Sequence, residues 1–334
     1  MDRPRRRSQL LILAAAAGLA AAAPPPEPPP LRALNWLPPQ ADAVRALTTR
    51  PVECLARPTD PETAYRVEVG RAAFRTPLLL GGQAARAGIA CESCHTNGRR
   101  NANFDFPGVS GAPGTADVTS FVFSSHRGDS LDDPRPIPDL GGPKSRLKVD
   151  QAPGSGALEH FIHGLVTEEF DGPPPPAGVL NGLAAYVRAL SPAACAAGPE
   201  EPVTLAGDLE DARRAASAAR AALIRGEPDV AVVMMQAARS RLGVIAERFA
   251  GHALGRQRRT LAALDLDLAA DLAEARQSSE RARTGIDLWL SRLEEATRDL
   301  HALEARSLYS PDRLAMTLGH RGGGAGTGPA HRPL

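Results

Sequence analysis

Cys91-Glu92-Ser93-Cys94-His95 is the stretch on which the reading of this chain turns. It sets two thiols three positions apart and puts an imidazole directly after the second. That is the spacing by which c-type haem is attached to a protein. Two thiols so separated reach the two vinyl groups of one porphyrin, and the following His then lies under the iron as proximal ligand. The expected cofactor is one covalent haem c, with Cys91 and Cys94 as attachment points and His95 on the metal. Two other chemistries use cysteines at this spacing. A zinc site needs two further ligands, and the chain has no second cysteine pair of this spacing. A redox dithiol usually starts a helix after a strand, and nothing constrains its next residue to be His.

Working outward, Thr63 to Phe74 has the pattern of a helix, with Asp60 as N-cap and Pro61 at the first helical position. Gly70 and Phe74 stand one turn apart on it. Val179 to Leu190 is a second helix, with Leu180, Leu183, Tyr186, Val187 and Leu190 on one face. In a cytochrome c fold the first and last helices cross where a Gly lets the backbones approach. Tyr186 is then the expected partner of Gly70 and Phe74. Residues 69–82, VGRAAFRTPLLLGG, and then GIACESCH at 88–95, resemble the opening of the bacterial cytochrome c peroxidase and methylamine-utilisation haem proteins. GLVTEEFDG at 164–172 and LAAYVRAL at 183–190 are similar to later helices of that family. The resemblance covers roughly 51–199 and implies an all-α cytochrome c-like haem domain. The family's peroxidases carry two CxxCH motifs, and this chain carries one.

The chain ends and the composition bound the rest. Arg3, Arg5, Arg6 and Arg7 precede an apolar run from Leu10 to Ala23, the layout of a signal peptide over 1–23. That run is shorter than the ~20 residues a membrane span needs. The mature chain is expected to be periplasmic or otherwise exported, with no membrane span. Residues 24–50 open with a Pro-rich run and read as a linker. With 39 basic and 38 acidic side chains the formal charge is +1, which argues against a nucleic-acid partner. Cys54 and Cys195 bracket the haem domain, and in an exported protein they read as a disulfide.

The sixth iron ligand is the open question. No Met lies between Cys54 and Cys195, whereas Met is the common ligand that raises the potential of electron-transfer cytochromes. His126, in a loop after an apolar run, is the first candidate. His160 and His163 fall within a helix expected over Ala157 to Phe170 and point away from its apolar stripe. Lys144 and Tyr186 are lesser alternatives. An open sixth position would admit peroxide, oxygen or nitric oxide, with Arg127 or Asp129 beside it. Arg99, Arg100 and Asn101 are within reach of a haem propionate or are surface residues.

From 200 to 316 the character changes. Apolar residues recur in steps of three and four, as in Leu205, Leu209, Ala212, Ala216, Ala219 and Leu223, or Ile286, Trp289, Leu293, Ala296, Leu300 and Leu303. Breaks fall at Gly226 to Pro228 and at Gly251. These features predict a helical bundle or coiled-coil hairpin, able to form an oligomer or to dock a redox partner. Asp265, Asp267, Asp271 and Glu274 read as a solvated face rather than a metal site, and 317–334 as a disordered tail. The function expected from these residues is electron transfer by a monohaem c-type cytochrome. The alternative is a peroxidase-like enzyme with an open distal site. A third reading has the bundle sense the state of the haem.

Overall fold

The structure is a computed structural model that describes residues 31–129, 131–195 and 199–322. The expected signal peptide, the prolines at 24–30 and the last twelve residues of the expected tail lie outside the described residues. The described chain is mostly helical, so the all-α expectation holds at that level.

Residues 31–50 are not a free linker. A 3-10 turn at Arg32–Trp36 buries Trp36. Helix α1 (Ala43–Thr48), capped by the Asp42 carboxylate, buries Leu47. The prolines that suggested a linker stop at Pro30, and the apolar side chains after them have a core to enter. Strand β1 (Thr49–Pro51) follows. Helix α2 (Pro61–Phe74) starts where expected, with the Asp60 carboxylate accepting from the Thr63 amide at 2.7 Å. Two short helices, α3 (Gly82–Ala87) and α4 (Cys91–Cys94), lead through the cysteine motif. A long loop region carries the two-residue strands β2 (Thr115–Ala116) and β3 (Arg135–Pro136), paired antiparallel. Helix α5 (Ala157–Gly164) was expected to run to Phe170. It instead widens into a π-turn over Leu165–Glu169. Helix α6 is Ala177–Ala189.

Helices α2 and α6 cross backbone against backbone. A Cβ added to Gly70 would stand 1.9 Å from the Gly182 carbonyl oxygen. The partner of Gly70 is therefore Gly182, not Tyr186. Tyr186 packs instead on Phe74, with ring centroids 5.1 Å apart.

Three links close this region at its ends. Strand β4 (Glu200–Pro202) pairs antiparallel with β1, Thr49 opposite Pro202. Leu55 bridges to Leu190. Cys54 and Cys195 form the expected disulfide across a sequence separation of 141. A loop of that length contributes roughly 5 kcal/mol by chain entropy.

Four long helices follow: α7 (Leu205–Ile224), α8 (Pro228–Arg248), α9 (Gly255–Glu274) and α10 (Ser279–His301). Each packs on the next and α10 returns to α7, which closes a four-helix bundle. The anticipated breaks fall at Gly226 and Gly251, both with positive φ. Trp289 is buried and its indole N–H donates to the Leu264 carbonyl at 2.9 Å, tying α10 to α9. Helix α11 (Pro311–Gly322) carries six residues of the expected tail in helical form. Helix α2 lies on α7 and α8, so one hydrophobic core runs from Trp36 to Tyr309 through both regions. Among the described residues no helix is long and apolar enough to cross a membrane.

Candidate functional site

Cys91 and Cys94 occupy one helical turn, too short for sequence periodicity to reveal. The Ser93 hydroxyl accepts from the Ala90 amide at 3.1 Å and holds the start of that turn. His95 leaves the helix, with φ −121° and ψ 64°. Its imidazole Nδ1 lies 3.0 Å from the Pro138 carbonyl oxygen. A carbonyl can only accept, so Nδ1 carries the proton and Nε2 keeps its lone pair. Desolvation holds the imidazole down to about 4, against the opposing pull of Pro138 and Asp139. The ring is therefore neutral at ordinary pH, the form in which imidazole binds a metal.

The two thiols are held in their neutral form as well. Burial pushes Cys91 up to about 12 and Cys94 higher still. A thiol-disulfide catalyst needs the opposite, a thiol poised as thiolate near neutral pH. Phe74 packs against His95 at a centroid distance of 6.3 Å. Phe104, Phe106, Phe123 and Phe170 form a chain of ring contacts elsewhere in the same core.

Asn97, two residues after His95, is buried in the left-handed region with φ 52°. Asn tolerates that conformation better than other side chains with a Cβ. Its Nδ2 donates to the Pro51 carbonyl at 2.8 Å, and its Oδ1 accepts from Arg75 at 2.8 Å. The Glu92 carboxylate accepts from the Asn97 amide at 3.1 Å. Arg75 also donates to Glu53 at 3.0 Å, and Tyr186 donates its hydroxyl to the same carboxylate oxygen at 2.8 Å. Burial works to raise Glu53, but Arg75 and Arg71 outweigh it and hold the carboxyl down to about 2.

The other residues singled out by sequence lie as follows. His126 is exposed, with 64% of its side chain open to solvent and Nε2 3.9 Å from Asp171. Its neighbour Arg127 pairs with Glu168 and Glu169. Asp129 accepts from the Leu131 amide. His160 is exposed and His163 half-buried on α5. Lys144 donates to the Leu140 and Val187 carbonyls at 3.0 and 2.7 Å, and Tyr186 is engaged with Glu53, so both have other partners. Arg99 binds Asp139 at 2.8 Å and its Nη1 stands 3.1 Å from Cys54 Sγ, while Asn101 holds the Ser93 carbonyl. Arg100 is exposed. On the bundle, Asp265, Asp267 and Glu274 each pair with an arginine, respectively Arg239, Arg292 and Arg281. Among the described residues no three His, Cys, Asp or Glu side chains gather as a metal ion would need.

Sequence reasoning missed Pro138, Asn97, Glu53 and Arg75. Pro138 lies 43 positions from His95 and contributes only a carbonyl, which no side-chain pattern announces. Arg71 in the last turn of α2 and Arg75 at its C-cap look like a surface stripe until both are found buried. Comparison with protein-family models, with curated proteins and with solved structures finds no match to this chain.

Proposed function

We propose that this chain is an exported monohaem c-type cytochrome that transfers electrons. The observation that carries the reading is the paired state of His95. One ring nitrogen is committed to the Pro138 carbonyl and the other has no hydrogen-bond partner among the described residues, beside two neutral thiols on a single turn. That donor set fits a covalently attached haem: two thiols for its vinyl groups and one imidazole nitrogen for its iron. When bound, the haem supplies one-electron chemistry between ferric and ferrous iron. The chain's own part is to hold and to shield. Cys91 and Cys94 would fix the porphyrin, Pro138 orients the His95 ring, and Phe74 packs beside it. The Cys54–Cys195 disulfide suits an oxidising compartment.

The second reading, peroxidase-like chemistry at an open sixth position, is favoured by two observations. The region from Cys54 to Cys195 has no Met, and His126, the first candidate ligand, faces solvent and Asp171. Optical spectra of the protein matured in a periplasm with haem-attachment factors separate the two. Low-spin ferric bands and a ferrous form indifferent to carbon monoxide support electron transfer, and His126→Ala then asks whether that residue holds the sixth position. A high-spin ferric band with rapid carbon monoxide binding sinks the closed site and makes peroxide turnover the next assay. A protein without covalent haem overturns both readings.

A further inference from the structure

The residues around the cysteine motif do not end at the first region. Glu92, inside the motif, faces Arg75 with Oε2 3.8 Å from the guanidinium Nε. The same Nε lies 3.7 Å from Asp211 Oδ2 on α7. Arg71, one turn before Arg75, bridges Glu53 at 2.9 Å and Asp211 at 2.5 Å. Arg241 on α8 continues the chain, 3.8 Å from Asp211 and 3.2 Å from Asp208. Asp208 in turn accepts from the Tyr309 hydroxyl at 2.6 Å. This network crosses from the motif, through α2, into the bundle. Its members are buried or nearly so, and four carboxylates face three guanidinium groups. A cavity of about 10 Å³, lined by Arg71, Arg75, Asp211 and Arg241 among others, lies within it.

An exposed ion pair has little reach, because water and salt screen it. A buried charge is screened far less. Burying so many charges is also a poor route to stability, since desolvation offsets most of their attraction. A network that joins the bundle to residue 92 therefore has its clearest consequence at the group the motif holds.

We propose that Asp211, with Arg241, is a positioning and charge-setting pair through which the bundle tunes the reduction potential of the haem at Cys91, Cys94 and His95. This rests on the proposed function. The extra negative charge stabilises ferric over ferrous iron, and the two bundle residues act in opposite senses. Asp211→Asn removes a buried, weakly screened negative charge and raises the ferrous-to-ferric ratio at fixed poise, by about tenfold. A tenfold change is about 59 mV for one electron. Arg241→Gln removes a positive charge and lowers the ratio.

The test is an equilibrium redox titration of the haem-loaded protein and its variants, followed by the visible spectrum. Glu210→Gln is the control, because Glu210 pairs with Arg213 on the exposed face of the same helix. The expected result is opposite shifts for the Asp211 and Arg241 variants and no shift for Glu210→Gln. Mere loosening of the structure would move both buried variants the same way. Should Asp211→Asn fail to fold, Asp208→Asn at the edge of the network takes its place with the same expected sign. Haem-loaded variants with no shift, or with shifts of one sign, overturn this inference alone. A wild-type chain without covalent haem overturns the proposed function, and this inference with it.

Discussion

Gly70→Ala puts the crossing of α2 and α6 to a severe test. The added Cβ would lie 1.9 Å from the Gly182 carbonyl oxygen, 2.3 Å from its carbon and 2.8 Å from the Leu183 nitrogen. All three are backbone atoms of a helix, so no side chain can turn aside. Relief requires the helices to separate by more than ~1 Å, which loosens contacts throughout a close-packed core. Val69, Ala73, Phe74, Leu183 and Tyr186 all sit in that core with under a tenth of their surface exposed. Overpacking of this kind costs ~3 kcal/mol or more. The intrinsic preference of a helix for Ala over Gly offsets about 1 kcal/mol of it. The net expectation is a loss of about 2 kcal/mol or more. Gly243→Ala is the internal comparison. Gly243 is inside α8, and among the described residues its Cβ would meet Arg32 Nη2, at 3.8 Å. That substitution is expected to raise stability by ~0.5–1 kcal/mol. Urea denaturation followed by far-ultraviolet circular dichroism measures both. The reasoning is refuted if Gly70→Ala is as stable as Gly243→Ala.

Three further outcomes are expected. Asp271 stands between Asp267 and Glu274, with a carboxylate oxygen against Gly285 of α10, and desolvation and those two carboxylates raise it to about 6. A folded value above the unfolded one means that stability falls as pH rises from about 4 through 6. Asp271→Asn should therefore stabilise at pH 7.5 by about 1 kcal/mol after discounting for solvent screening and make little difference near pH 4; equal effects at the two pH values would contradict this. Glu53 behaves in the opposite sense. Held down to about 2, it contributes stability above its ordinary value of 4.5 that is lost as pH falls through 2, so Glu53→Gln should cost ~3 kcal/mol or more at pH 7 and much less in acid. Replacing Cys54 and Cys195 together by Ser should lower unfolding stability by roughly 5 kcal/mol at most, read as a drop in the thermal midpoint that reductant reproduces in the wild type.

The parts of the fold that sequence announced are those set by local rules. Asp60 and Pro61 begin α2, Gly226 and Gly251 break the bundle, and steps of three and four mark α7 to α10, because caps, turns and periodicity act over a few residues. Cys54 and Cys195 were legible for another reason, since two cysteines left over in a chain expected to be exported have few alternatives. What stayed hidden depends on distant chain. The sequence marks Gly70 as a crossing point, but Gly182 supplies the other half and lies inside α6 with no pattern that distinguishes it. The union of the two regions into one core was not visible, because a buried arginine stripe on α2 reads as a surface. Its partners Glu53 and Asp211 lie 18 and 140 positions from Arg71. The cysteine motif was legible at once, while the carbonyl that orients its His belongs to a loop with no pattern.

The most direct test of the central claim is the intact mass and haem spectrum of the chain produced in a periplasm with haem-attachment machinery. The expected result is one haem per chain that survives denaturation and is lost when Cys91 and Cys94 are both replaced by Ser. A chain that leaves that compartment without covalent haem, its two thiols free, would contradict the account.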